Sequence, residues 1–554
     1  MKIVKSIIIL LALIFQVQYA IAQSSGVKKT AGCCFTLTTF KADGSLLSTA
    51  NGVFIGADGI GVSAWTPFVG AAKATVIDAK GVRHDVECLL GADEIYNLAK
   101  FRVQGKVTAA PLATSVNNNQ TVWITPSSSK GSPMKATVTS VEKFMTQYNY
   151  SVLNASATDQ MNGAAVINEK GQVIGLFNAS SSQKSATDVA SIRDYKLVGL
   201  TQNNATLRLS TIRIGLPETE SEALIAMMLA SEKSPEVYIA TVQEFIQKFP
   251  KATDGYNNYA NRQLAQGDLA GADKTMLQSI ANATAKDEAH FNYARNIYLA
   301  SVNDALADKV KAQGWSLDKA MKEAEIAYSL KAANIYKHLQ AQITYAKGDY
   351  NGAYIAFEAL TKTDIKNPEL YLEMAQSKQR LNASDDEILQ LLNQSIQLCD
   401  TPYVATSAPY FFARGQQYQK MEQYRLAVKD YYTYEYFNLG RLSSVFYYNR
   451  EQCEVKAKMW QQAIQDIAIA ARLDPKEPLY PIEAASILLR LGKYDTAKSA
   501  AEEAIKLDPN AAEAYLVLGV SQCELKDKVE GLKNINKAKE LGNAQADNFL
   551  AKYK

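Results

Sequence analysis

"NGVFIGADGIGVSAW" (residues 51–65) contains two short runs of apolar and small residues on either side of the dipeptide Asp58-Gly59. Asp-Gly is a preferred β-hairpin turn because glycine adopts the positive φ that such a turn requires. The stretch therefore predicts a strand, a tight turn and a second strand. The same arrangement recurs around the Lys-Gly pairs at residues 80–81 and 170–171.

The region from about Val27 to Gly215 continues this pattern. It is rich in Val, Thr, Ser, Asn and Gly, and its short alternating runs are separated by turn signals, which is typical of all-β domains. Two sets of such strands, joined by a bridging stretch at "GKVTAAPLATSV" (105–116), predict a pair of small β-barrels. We place this all-β domain at residues 23–215.

The pattern becomes helical near Pro217. From residue 216 to residue 554, Tyr, Ala and Leu recur on faces with a 3.6-residue period. Self-similarity at about 34 residues is visible where "PLYPIEAASILLRLGKYDTAKSAAEEAIKLDPNA" (478–511) precedes "AEAYLVLGVSQCELKDKVEGLKNINKAKEL" (512–541). This region resembles tetratricopeptide-repeat (TPR) proteins, and the resemblance implies a solenoid of about seven to nine helix pairs.

A solenoid offers a concave groove in which a protein or peptide partner can bind. Some TPR domains hold chaperone carboxyl termini with a basic clamp, and no such clamp is visible at the corresponding inner positions, which are Asn257, Asn261, Phe412, Gln416, Leu516 and Val520. Four tyrosines, at positions 431, 432, 434 and 436, are predicted to pack between helices, and a recognition stripe is the alternative.

The all-β region resembles the bacterial trypsin-like serine proteases of the HtrA/Deg type in three segments. In that family a strand after an Asp-Gly turn leads to the catalytic histidine, and "DGIGVSAWTPFVGA" has Thr66 at that place. The segment "GADEIYNLAKFRV" has Asn97 where the family has its aspartate, and "DQMNGAAVINEKGQVIGLFN" has Asn162 where the family has its nucleophilic serine. The resemblance therefore implies a protease fold in which all three catalytic positions are altered.

A serine triad needs a hydroxyl nucleophile, an imidazole that takes its proton and a carboxylate that orients the imidazole. Thr66 cannot accept a proton near pH 7, Asn97 carries no charge, and Asn162 offers an amide in place of a nucleophile. Loss of a whole triad costs on the order of 10⁶ in turnover in a serine protease. We therefore predict a pseudoprotease with no catalytic residues, and a trypsin-like endopeptidase with an unorthodox site is the alternative.

Two further features follow from the same resemblance. Gln160 and Met161 replace the glycine-containing turn whose amides face the oxyanion, which predicts a degenerate oxyanion turn. Asn178, Ala179 and Ser180 follow the strand that lies beside a bound peptide in the resembled proteases, which predicts a peptide-binding edge. Binding by strand addition needs a free strand edge and no triad.

A displaced triad would need another histidine, and the chain has only His84, His290 and His338. His84 lies on a predicted strand and is expected to be a packed or edge residue, while the other two fall in the predicted TPR helices. No HExxH motif, CxxC pair or cluster of His and Cys occurs. The sequence therefore predicts neither a metal site nor a cofactor.

The chain has six cysteines, which are Cys33, Cys34, Cys88, Cys399, Cys453 and Cys523. On the predicted strand "CCFTLTTF", Cys33 alternates with Phe35 and Leu37 and should point into the barrel, as should Cys88. A disulfide between Cys33 and Cys88 is therefore one hypothesis, and buried reduced thiols are the other.

The amino terminus predicts a cleavable secretory signal over residues 1–22. Lys2 and Lys5 precede the apolar run "IIILLALIF", and a small-residue site at residues 20–22 precedes Gln23. The apolar run is shorter than the roughly 20 residues of a membrane helix. We therefore expect an exported protein, periplasmic or extracellular, that is soluble after cleavage of the signal.

Loss of the two signal lysines lowers the formal net charge from +3 to +1, so the chain lacks the basic footprint of a nucleic-acid-binding protein.

The sequence leads to three hypotheses about function. The protein is a scaffold in which a pseudoprotease domain binds an extended segment and the TPR array recruits a second partner. Alternatively, it is an endopeptidase or envelope quality-control protein with an unorthodox site. In the third, the β domain only caps the solenoid.

Overall fold

The computed structural model describes residues 24–127, 131–180 and 183–553, so the predicted signal at residues 1–22 lies outside the described chain. The described chain forms two closed β-barrels followed by a helical region. The predicted fold class, an all-β double barrel followed by an all-α region, is confirmed. In the described ranges, no helix has the length and apolar character needed to span a bilayer.

The first barrel has six strands: β1 (Cys34–Phe40), β2 (Leu46–Gly56), β3 (Ile60–Ser63), β4 (Lys73–Ile77), β5 (Arg83–Asp93) and β6 (Leu98–Val103). Antiparallel pairing closes them in the order β1-β2-β3-β6-β5-β4. The predicted hairpin turn joins β2 to β3. Its Gly59 has a φ of 92°, and a Cβ there would lie 2.4 Å from the carbonyl oxygen of Val103, so only glycine fits. Phe35, Phe54 and Phe101 pack in the core.

The second barrel has six strands: β7 (Thr121–Thr125), β8 (Met134–Phe144), β9 (Tyr148–Asn154), β10 (Ala165–Asn168), β11 (Val173–Ala179) and β12 (Lys184–Thr187). They close in the order β10-β11-β12-β9-β8-β7 around a core that includes Val166 and Phe177. A short helix, α1 (Ser25–Ala31), packs against the β10–β11 turn, where the Thr30 hydroxyl donates to the carbonyl of Gly171 at 2.5 Å.

The structure does not contain the hypothesised Cys33–Cys88 disulfide, because both residues are free thiols. Cys33 precedes β1 and donates its amide to the carbonyl of Thr30 at 2.9 Å, so the alternation of the strand does not govern its direction. Burial raises the pKa of the Cys88 thiol to about 12 and also raises the pKa of the Cys33 thiol. These two cysteines therefore act as buried, protonated side chains.

The helices of the all-α region pack in successive pairs. After the short helix α2 (Ala190–Arg193), the chain forms α3 (Glu220–Ala230), α4 (Pro235–Lys248), α5 (Asp254–Ala265), α6 (Leu269–Asn282), α7 (Lys286–Ser301), α8 (Ala307–Ala312), α9 (Leu317–Leu330), α10 (Asn334–Ala346) and α11 (Tyr350–Leu360). It continues with α12 (Pro368–Arg380), α13 (Asp385–Gln397), α14 (Ala408–Lys420), α15 (Tyr424–Phe437), α16 (Ser444–Lys456), α17 (Trp460–Leu473), α18 (Leu479–Arg490), α19 (Tyr494–Leu507), α20 (Ala512–Glu524), α21 (Lys528–Glu540) and α22 (Ala546–Tyr553).

The chain divides into two compact units, and the division falls between Ala285 and Lys286. The domain boundary predicted at residues 215–216 follows the change of secondary structure, whereas the first compact unit also includes α3 to α6. A buried ion pair explains part of this difference. Glu244 of α4 accepts hydrogen bonds from the guanidinium of Arg213 and from the amide of Leu216, so the first helices are tied to the end of the barrel region.

An arginine and an aspartate recur at the same places in two successive helix pairs of the second unit. Arg414 of α14 donates to both carboxylate oxygens of Asp430 in α15, at 2.7 and 2.8 Å. Arg450 of α16 donates to both oxygens of Asp466 in α17, at 2.6 and 2.8 Å. Both pairs are separated by 16 residues. Each two-bond ion pair therefore joins the two helices of one pair.

Candidate functional site

The structure brings together two of the three positions at which the sequence predicts a lost catalytic group. Thr66 begins a 3-10 helix (Thr66–Phe68) after β3, and Asn97 lies in the β5–β6 turn with a φ of 51°. The carboxamide oxygen of Asn97 accepts from both the amide and the hydroxyl of Thr66, each at 2.8 Å. The hydroxyl of Thr66 is therefore held by a neutral acceptor rather than by a base.

Asn162 follows a 3-10 helix (Asp159–Met161) that contains the predicted oxyanion-turn residues. Its amide donates to the carbonyl of Asp159 at 2.9 Å, and its carboxamide oxygen accepts from the amide of Ala179 at 2.7 Å. Among the described residues, no hydrogen bond joins Asn162 to Thr66 or Asn97. The N–H of Met161, one of the two residues of the predicted oxyanion turn, donates to the carbonyl of Thr158 at 3.0 Å, so it too is used within the turn itself.

Asn51 of β2 connects the two barrels beneath this turn. Its side chain is fully buried, and its amide group donates to the carbonyls of Gln160 at 3.3 Å and Asn162 at 3.4 Å. Its carboxamide oxygen accepts from the amide of Ser127 at 3.3 Å. Sequence analysis did not identify Asn51, although a polar residue in an apolar strand run was the available signal.

Replacing Asn51 by alanine should lower the free energy of unfolding by about 1–3 kcal/mol, because buried carbonyl and amide groups lose their partner. Urea denaturation of the full chain measures this change. Hydrogen exchange over residues 159–163 should rise in the same variant, since the turn loses its contact to β2. Asn118→Ala, at an exposed asparagine between the barrels, is the matched control. Equal stability of Asn51→Ala and the control would contradict the assignment.

The predicted peptide-binding edge has its polar groups already engaged. Asn178 and Ala179 pair with Ser185 and Lys184 of β12 on one side. On the other side, the amide of Ala179 donates to the carboxamide of Asn162. A peptide strand could pair with Ala179 only by displacing that carboxamide. Ser180 is exposed, and its amide donates to the carbonyl of Gln183 at 2.9 Å.

His84 lies on β5, where its ring nitrogens are 3.2 Å from the carbonyl of Gln104 and 3.4 Å from a carboxylate oxygen of Asp78. The other two histidines are within the second unit, where His290 lies 2.6 Å from Glu323 and His338 lies 2.5 Å from Glu373. Within the described chain, no serine, threonine or cysteine side chain hydrogen-bonds to any of the three imidazoles. The described residues also hold no group of three or more potential metal ligands.

The inner-helix positions named from the sequence differ in how deeply the structure buries them. Leu516 and Val520 are buried in the core of the last helix pairs, and therefore cannot bind a partner. Phe412 is half-buried and Gln416 is exposed, and both line a cavity of about 570 Å³ in the second unit. Two arginines also line this cavity, Arg441 in the loop after α15 and Arg450 in α16. Neither is one of the inner-helix positions named from the sequence.

The comparisons with known proteins show a weak likeness to a solved structure. No protein-family model matches the chain, and no curated protein matches it either. Among solved structures, the chain is similar to the serine endoprotease from Yersinia pestis, with 15% sequence identity and a TM-score of 0.27. That match covers 30% of this chain and 62% of the endoprotease chain, so the chain spans less than two thirds of the length of that protein.

Proposed function

We propose that the protein is a non-catalytic, protein-binding scaffold that joins a pseudoprotease double barrel to an array of tetratricopeptide repeats. One observation carries the non-catalytic part. At the position of the nucleophile, Asn162 presents a carboxamide whose oxygen already accepts a hydrogen bond from Ala179. The N–H protons of a carboxamide are too weakly acidic to be lost to a base near pH 7, and its delocalised nitrogen lone pair does not attack a peptide carbonyl.

The surroundings of Asn162 support the same proposal. Thr66 and Asn97 form a neutral hydrogen-bonded pair, so neither a proton acceptor near neutral pH nor a carboxylate is present there. In the predicted oxyanion turn, the amide of Met161 donates to the carbonyl of Thr158, and the neighbouring amide of Asn162 donates to that of Asp159, so neither can stabilise an oxyanion without rearrangement. The loss therefore extends from the nucleophile to the base, the orienting group and the oxyanion turn.

In the proposed scaffold, the helical array recruits a protein partner in the cell envelope or outside the cell. The resemblance to TPR proteins and the amino-terminal signal pattern support this part of the proposal. A second role for the barrels, as an amino-terminal cap of the helices, is favoured by the buried contact of Arg213 with Glu244 in α4.

The purified mature chain should cleave neither an unfolded protein nor a peptide library, and Asn162→Ala should not change this result. A rebuilt variant with Thr66→His, Asn97→Asp and Asn162→Ser is expected to react with a fluorophosphonate probe at residue 162, because it restores all three groups of a triad. Its turnover should stay far below that of a complete protease, since the oxyanion turn is unchanged.

The rebuilt variant with Asn162→Ala in place of Asn162→Ser is the matched control for labelling. Cleavage by the natural chain that disappears in Asn162→Ala would overturn the proposal and favour the endopeptidase alternative. Absence of labelling in a folded rebuilt variant would show that the three positions do not converge in the way that the resemblance implies.

A further inference from the structure

Four aromatic rings surround the cavity of about 570 Å³ between α14, α15 and the start of α16. The ring centre of Phe412 lies 4.7 Å from that of Tyr434 and 5.9 Å from that of Tyr431, and Phe446 lies 5.5 Å from Tyr434. This volume is within the range of sites that enclose a small ligand or a large side chain. We call this site the aromatic cavity.

The rings of the aromatic cavity are only partly covered by the protein. Tyr431 is buried and donates its hydroxyl to Gln419 at 2.6 Å, so its role is structural. Phe412, Tyr434 and Phe446 are half-buried and keep faces that a ligand can contact. Apolar side chains continue to the mouth of the cavity, where Val445 is 56% exposed. The floor and the mouth therefore favour a bulky apolar or aromatic group.

Polar side chains without partners surround this apolar floor. Gln416 and Asn449 are exposed carboxamides that line the cavity, and neither they nor the hydroxyl of Tyr434 forms a side-chain hydrogen bond within the described chain. A carboxamide both donates and accepts, so it can bond to the amide and carbonyl groups of an extended peptide. The rim thus suits a main chain more closely than it suits a purely apolar ligand.

The two arginines that line the cavity differ in their ion pairing. Arg450 is 1% exposed and is neutralised by Asp466 and Glu435, each 2.6 Å from its guanidinium. Arg441 is exposed on the rim and has no carboxylate partner in the described chain, and the described residues that line the cavity include no Asp or Glu. Arg441 is therefore a free cation next to an apolar cavity, and an acidic group on the ligand would complement it.

We propose that the aromatic cavity binds an extended segment of another protein, with an aromatic side chain inside the cavity and an acidic residue beside Arg441. This proposal rests on the protein-binding function proposed above and specifies the chemistry of one partner. The binding energy comes mainly from burial of the aromatic group. The acidic residue sets the preference among peptides, because Arg441 would repel a basic neighbour.

The test uses the full mature chain and a fluorescent capped peptide of sequence Gly-Asp-Phe-Asp-Gly, titrated to millimolar protein. Two matched peptides carry Lys in place of both Asp residues or Ala in place of Phe. We expect the acidic aromatic peptide to bind about tenfold more tightly than either matched peptide. Arg441→Glu should abolish or reverse the preference for Asp over Lys, and Asn449→Ala should weaken binding of all three peptides.

Arg472→Glu, which changes the charge at an exposed site of α17 outside the cavity, is the matched control and should leave the preference unchanged. Equal binding of the acidic and basic peptides, or no binding of any peptide, would overturn the proposal. A preference that survives Arg441→Glu would do the same and would place the peptide elsewhere on the chain. Self-association that Arg441→Glu removes would make a second copy the occupant, which also overturns the proposal.

These outcomes are separable from the test of the pseudoprotease, because cleavage and fluorophosphonate labelling report on Asn162 and not on the aromatic cavity. Failure of all peptides to bind would leave the non-catalytic assignment of the barrels standing. Cleavage by the natural chain would leave the peptide preference of the second unit standing.

Discussion

Arg450→Ala is expected to lower the free energy of unfolding of the second unit by about 3–5 kcal/mol, because it leaves buried carboxylates without their cation. The side chain of Arg450 is 1% exposed. The side chain of Asp466, whose carboxylate accepts two hydrogen bonds from it, is 3% exposed. Glu435 accepts a third bond at 2.6 Å. The guanidinium also lies 4.1 Å from the ring centre of Tyr432, so the variant loses a cation–π contact as well.

Urea denaturation of the full chain, with hydrogen exchange read over α16 and α17, measures this loss. Arg414→Ala is the matched control, because Arg414 makes the same two-bond pair with Asp430 but is 19% exposed. Water can replace part of that interaction, so a smaller loss is expected. Adding Asp466→Asn to Arg450→Ala should recover part of the stability. Equal losses in the two single variants would contradict burial as the cause.

The second large effect is a loss of stability as the pH rises from about 5 to 8. Burial raises the pKa of Glu451 to about 7 and the pKa of Glu454 to about 8 in the folded protein. Both side chains are fully buried, and each keeps one carboxyl oxygen without a partner among the described residues. The other carboxyl oxygen of Glu451 accepts a hydrogen bond from the side-chain amide of Gln452, and that of Glu454 accepts one from the hydroxyl of Tyr432.

The direction follows from the protons bound in each state. In the unfolded chain these carboxyls lose their protons near pH 4.5, whereas in the folded chain they keep them to higher pH. Stability therefore falls as the pH rises through this window, and the fall levels off above the folded pKa. For Glu451 alone, the shift from 4.5 to about 7 corresponds to about 3 kcal/mol.

The double variant Glu451→Gln, Glu454→Gln should be more stable than the natural chain at pH 8.5 and should lose this advantage at pH 5. Urea denaturation at both pH values measures the difference, and other titrating groups cancel because they are common to both proteins. Glu502→Gln, at an exposed residue of α19, controls for loss of a surface charge. A difference that does not change with pH would contradict the assignment.

Local signals in the sequence were sufficient for the fold class. The Asp58-Gly59 and Lys170-Gly171 turns form because glycine alone fits their positive φ. Two adjacent residues are therefore enough to predict each turn. The repeated ion pairs could also have been found. Arg414 and Arg450 each precede an aspartate by 16 residues, so the spacing of the ion pair repeats in the sequence itself.

The candidate site was predictable only in part. Motif positions identified Thr66, Asn97 and Asn162, and the structure shows a hydrogen bond between the first two. The bond from the amide of Ala179 to Asn162 and the role of Asn51 were not predicted. Asn51 lies 111 residues from Asn162 in the sequence, and nothing local to either residue specifies the other.

The sequence by itself determined the two barrels and the helices that follow them, because turn preference and the periods of 2 and 3.6 residues depend on near neighbours. Only the tertiary structure decided which polar groups are paired. The carboxamide of Asn162 accepts a bond from the amide of Ala179, Arg450 is neutralised while Arg441 has no carboxylate partner in the described chain, and Glu451 is buried away from water. Each of these states depends on groups that folding brings together from distant parts of the chain, and on the water that folding removes.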